Sequence, residues 1–97
     1  MSMTIFGDIA RERERQAALK KAGKLKWTCA DQKPSGSNKV AVLAKQVGDT
    51  ATVALTPGGD GDLRKELVQV AAVAVAWIES IDAANAQAEI PEVAEKA

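Results

Sequence analysis

Lys45 and Asp49 stand four residues apart, and Glu66 and Gln69 three apart, so on helices the members of each pair share a side. If the helices that carry them fold back as an antiparallel hairpin, Asp49 approaches Glu66 and two carboxylates meet in one pocket. Asp49 and Glu66 are thus the two acids singled out by spacing. The plainer alternative pairs these acids with Lys45 or an arginine and makes Gln69 a buried hydrogen-bonding residue. Cys29 is the single cysteine and the chain has no histidine. That excludes an intramolecular disulfide and a zinc site built from Cys and His, and leaves Cys29 an unreactive thiol.

Charge narrows the ligand. The total is zero, but residues 1–26 hold seven bases against three acids, +4, and residues 60–97 hold eight acids against three bases, −5, with +1 between them. A balanced total argues against binding a nucleic-acid polymer through counterion release, while a local cationic patch suits a small phosphate-bearing ligand. Arg11, Arg15, Lys24 and Lys26 are the candidates for that patch. The RERER run that holds both arginines also fits a solvated helix face.

These residues need elements to position them. One domain is expected over residues 1–97, with a core at about 4–84 and an acidic tail at 85–97 that is frayed or a short extra helix. A first helix is predicted over about 4–22, with Ile5, Ile9, Gln16 and Leu19 on one face. A long loop follows at 23–38, GKLKWTCADQKPSGSN, of the length that asks for a functional reason. Ser35 or Ser37 can cap a second helix over about 38–55, whose stripe is Val40, Leu43, Ala44, Val47, Ala51, Ala54 and Leu55. After Pro57, Gly58, Gly59 and Gly61, Asp60 or Asp62 is expected to cap a third helix beginning near Leu63.

That third helix is apolar nearly all round, which predicts an all-α antiparallel bundle of three main helices completed by oligomerisation, as a dimer or tetramer. Trp77 is expected in the core. The longest apolar run, Val70 to Ile78, is shorter than the roughly 20 residues a membrane span needs, and the short apolar start does not read as a signal peptide. A soluble, cytoplasmic protein with no membrane partner is expected.

The order of an ERERQ helix, a WTCAD loop, a VLAxxVGxxA helix and an RxELVQVAAVAVAWIE helix resembles the MazG-like all-α nucleoside triphosphate pyrophosphohydrolases, especially their small phage and bacterial members, over about residues 5–81. In that family EExxE and ExxD motifs hold Mg²⁺, which binds the triphosphate and activates water. By position, EExxE falls on Lys45, Gln46, Val47, Gly48 and Asp49, and ExxD on Glu66, Leu67, Val68 and Gln69. Only Asp49 and Glu66 remain acidic, so the resemblance implies them as the candidate metal ligands, with the hard carboxylate oxygens that suit Mg²⁺, while three formal negative charges are gone and an ammonium stands where a dication would sit.

The resemblance therefore implies a nucleotide-binding protein that captures a nucleotide or nucleotide-derived ligand without efficient hydrolysis, such as a phage sponge for a cyclic or linear immune messenger in an infected cell. Lys45 becomes a direct phosphate partner and Gln69 a ligand contact. Trp27 stacks on a base at roughly 1–3 kcal/mol, or else anchors core or interface. The alternatives are a Mg²⁺-dependent pyrophosphohydrolase rebuilt on Asp49, Glu66 and Glu12 or Glu14, and a purely structural or protein-interaction module.

Overall fold

The computed structural model describes residues 3–96, with side chains over 4–59 and 61–87. It is all-α: α1 (Met3–Lys21), α2 (Gly36–Ala54) and α3 (Asp60–Lys96), with no strand among the described residues. α1 and α2 both pack on α3, whereas no Cα of α1 lies within 8 Å of one in α2. α3 is thus the shared wall, and the space between the other two helices is closed only by the loop that joins them. The α2–α3 hairpin is antiparallel: Lys39 reaches Ser80 near one end, and Gly59 lies against Val53 at the turn.

Each helix end follows from local chemistry. α1 stops in a paired turn, in which Gly23 N–H donates to the Lys20 carbonyl at 3.0 Å and Lys24 N–H to that of Leu19 at 2.9 Å. That closure needs the left-handed φ of 80° at Gly23, which glycine adopts without a side-chain clash. α2 begins at Gly36, earlier than periodicity suggested, because Ser35 is the cap: its Oγ accepts from Asn38 N–H at 3.2 Å. α3 also begins early. Leu63 N–H donates to the Gly59 carbonyl at 2.8 Å, so Gly59 occupies the capping position expected of Asp60 or Asp62. A Cβ on Gly59 would lie 2.9 Å from the Val53 carbonyl oxygen, so the tight approach of the two helices selects glycine there.

α3 is longer than expected. Its 37 residues run as one helix through Pro91 to Lys96, in place of a break near Asn85. The stretch Gly61–Gln87 is long and apolar enough to cross a membrane by length and composition, a property the shorter run Val70 to Ile78 concealed. In the fold 22% of its most apolar window is buried: Ala72, Val73 and Ala76 are covered, and Glu79 and Ser80 engage side chains from α1, the loop and α2.

The core is small and built around the loop. Cys29 packs with Val73 and Ala76, flanked by Trp27, Ala30, Val42, Leu43 and Trp77. Trp77 thus takes the packing role expected of it. Two ion pairs bind α1 to α3, Arg64 to Asp8 at 2.7 Å and Arg13 to Glu79 at 2.5 Å.

Candidate functional site

The loop between α1 and α2 is held by its own side chains. Asp31 accepts from Thr28 N–H at 2.9 Å and from Lys20 Nζ at 2.8 Å, while Asp31 N–H donates back to the Thr28 carbonyl at 3.0 Å. These bonds hold the Asp31 carboxyl below the ordinary carboxylate range, the Lys20 ammonium contributing most and Thr28 N–H next. Lys39, only 3% exposed, donates from Nζ to the Asp31 carbonyl at 2.5 Å and to Ser80 Oγ at 2.7 Å. Gln32 Nε2 donates to the Ser80 carbonyl at 2.7 Å. Loop, α2 and α3 therefore meet at Ser80. Cys29 sits beneath, and burial pushes its thiol pKa up, which fits an unreactive packing residue.

This fastening fixes Trp27 between two clefts. The inner cleft, about 440 Å³, lies between α1, the loop and α2, and is lined by Arg15, Gln16, Leu19, Leu25, Lys26, Trp27, Thr28, Cys29, Val42 and Gln46. Its volume falls in the range of roughly 300–1,000 Å³ usual for small-molecule sites. Gln46 Oε1 is buried and accepts no hydrogen bond, an orphan acceptor of the kind that costs free energy until a donor arrives. The outer cleft, about 710 Å³, brings Lys20, Lys26 and Lys33 together beside Trp27, with Asp31 among them. Among the described residues neither Lys26 nor Lys33 forms an ion pair. Trp27 thus borders an inner cleft in which Leu19, Leu25, Val42 and the Gln46 amide oxygen stand beside Arg15 and Lys26, and an outer cleft richer in lysine.

The residues singled out from the sequence separate into three places. Arg15, Lys26 and Trp27 meet at the inner cleft; Lys24 lies outside it, in the exposed turn after α1. Arg11 lies on a second, open groove with Asp8, Glu12, Arg15 and Arg64. That groove is occupied by its own ion pairs. Arg11 and Arg64 both bind Asp8, and Arg15 makes a two-pronged bond to Glu12 at 2.7 and 2.8 Å. Asp8 is held below its ordinary pKa chiefly by Arg64, and Glu12 chiefly by Arg15.

Lys45 and Asp49 form the third place. They pair with each other at 3.0 Å on the outer face of α2, with Lys45 75% exposed, the plainer of the two sequence expectations. Glu66 and Gln69 are half-buried on α3. Among the described residues, no three side chains of the His, Cys, Asp and Glu types converge as a metal site would require. Neither Lys45 nor Gln69 lines the Trp27 clefts.

Sequence reasoning missed Gln46, Lys33 and Lys39. Gln46 follows Val42 by one helical turn, so its place on the same inward side was readable from spacing. Nothing in the sequence distinguishes Lys39 from a solvated lysine; its burial depends on the loop folding over it.

The chain matches no family model, no curated protein and no solved structure. What is established is an all-α protein of three helices packed together, with Trp27 lining two clefts.

Proposed function

We propose that this chain binds a nucleotide-like small molecule at Trp27, as a MazG-like helical protein that retains ligand capture without efficient hydrolysis. The observation that carries this reading is the setting of Trp27, which lines both an inner cleft holding the unpartnered Gln46 oxygen and an outer cleft holding Lys20, Lys26 and Lys33. A nucleobase is flat, stacks on an aromatic ring and carries N–H donors that Gln46 Oε1 can accept; its phosphates match the lysines. Lysine ammoniums act here as mobile point charges, suited to a flexible polyphosphate or phosphodiester.

The test is calorimetric titration of the intact chain with a panel of mononucleotides, nucleoside triphosphates and cyclic or linear dinucleotides, with and without Mg²⁺. Binding that Trp27→Leu weakens by roughly 5–150-fold, the equivalent of one lost base stack, supports the reading. Absence of binding to every member refutes it. Sustained release of pyrophosphate with Mg²⁺, lost in Asp49→Ala or Glu66→Ala, replaces it with the hydrolase.

A further inference from the structure

Stacking on Trp27 accepts any base, but the polar groups of the inner cleft discriminate between them. They fall into two kinds. The acceptors are two amide oxygens, on Gln46 and Gln16. Gln46 Oε1 is buried without a partner. Gln16 donates its Nε2 to Glu12 at 3.0 Å, and among the described residues its Oε1 accepts no hydrogen bond. The donors are Arg15, Lys26 and the Thr28 hydroxyl. Arg15 gives Nε and Nη2 to Glu12, which leaves Nη1. Lys26 forms no ion pair among the described residues. Thr28 Oγ1 accepts from Ala30 N–H at 3.3 Å, which leaves its hydrogen for another partner. The two glutamines stand on different helices, α1 and α2, whose Cα atoms nowhere approach within 8 Å. Neither amide bonds the other, so a flat group entering beside Trp27 is what can satisfy both oxygens.

We infer, on the reading that a nucleotide stacks at Trp27, that the inner cleft selects guanine and that Gln46 sets the preference. Among the common bases guanine alone carries two donor nitrogens side by side, N1–H and the exocyclic N2 amino group, together with acceptors at O6 and N7. The amino group projects furthest from the ring and reaches the deeper oxygen, the buried Oε1 of Gln46. N1–H then donates to Gln16 Oε1. O6 and N7 are left for Arg15 and Lys26, the pairing that arginine and lysine make with guanine in general. Adenine has a single donor nitrogen and sets a lone pair at N1 against the Gln16 oxygen. Cytosine, uracil and thymine each have one donor nitrogen on that edge. Hypoxanthine matches guanine except for the amino group, so it leaves Gln46 Oε1 orphaned in a cleft that the base has closed to water. A site built to accept a hydrogen bond rejects the analogue that lacks the donor.

The test is calorimetric titration of the intact chain with guanosine, inosine and adenosine triphosphates, each with a chelator to remove Mg²⁺. The guanosine compound is expected to bind roughly 2- to 12-fold more tightly than the inosine compound, the equivalent of one neutral hydrogen bond, and the adenosine compound more weakly than either. Gln46→Met, similar in shape, removes the acceptor. It is expected to bind the guanosine and inosine compounds alike, and without ligand to melt no lower than the wild type, since an orphan oxygen has gone. Gln46→Glu keeps an acceptor oxygen and is expected to keep the preference for guanosine. Equal affinity of the wild type for all three, or a preference for adenosine or inosine, overturns the inference and leaves ligand capture at Trp27 standing. A Gln46→Met chain that still prefers guanosine does the same. Failure of the whole nucleotide panel to bind overturns this inference and the ligand reading together.

Discussion

Replacing Asp31 by alanine removes the carboxylate that folds the Trp27 loop, and its cost depends on pH in a way that identifies the cause. Two bonds disappear, one from Thr28 N–H at 2.9 Å and one from Lys20 Nζ at 2.8 Å. A hydrogen bond to a charged acceptor contributes roughly 1.5–3 kcal/mol when shielded; the Lys20 pair, half-open to solvent, adds only about 0.2–1 kcal/mol. The expected loss at neutral pH is about 2 kcal/mol, or roughly 10 °C in melting temperature for a chain of this size. Because the folded-state pKa of Asp31 lies below its ordinary 3.8, its stabilisation is complete above that value and disappears as pH falls through the folded-state value. Thermal melts followed by circular dichroism, at matched protein concentration, should therefore show wild type and Asp31→Ala far apart at pH 7 and converging as pH is taken progressively below 3.8. An unchanged difference at low pH would show that the carboxylate's charge does not hold the turn.

Other substitutions separate packing from charge. Gly59→Ala drives a methyl against the Val53 carbonyl oxygen and is expected to destabilise by about 1–3 kcal/mol, read as a lower urea midpoint. Ser35→Ala removes the cap of α2 and should cost about 1 kcal/mol in the same assay. Lys45→Ala breaks only an exposed pair, so a stability change below about 0.5 kcal/mol is expected, with nucleotide affinity at the Trp27 cleft unaltered; a large drop in affinity would return Lys45 to the site.

The three helices were legible because apolar residues recur at helical spacing and because Gly23 and the Pro57–Gly61 cluster interrupt them. The all-round apolarity of α3 also declared its central place. The boundaries were less legible: Ser35 was one of two serines that could cap α2 and does so through its Oγ, while Gly59 precedes α3 through a backbone geometry that composition does not encode. The candidate site was half visible. Lys26 and Trp27 stand in a loop whose length asked for an explanation, and the structure sets both on the inner cleft. Lys45 and Asp49 drew attention through a motif alignment, yet four-residue spacing on an exposed helix face satisfies them with each other. Gln46 was passed over because the same alignment treated it as a lost acid, when its value lies in the direction it points.

The separation of α1 from α2, whose Cα atoms nowhere approach within 8 Å, bears on how the molecule loosens. Each outer helix has its own attachment to α3, so α1 can detach as a separate cooperative unit while the hairpin stays folded. A guest seated at Trp27 would touch both outer helices at once and act as a brace, welding two independently melting parts into one. Amide exchange in α1 would then slow on loading, even at positions remote from the guest.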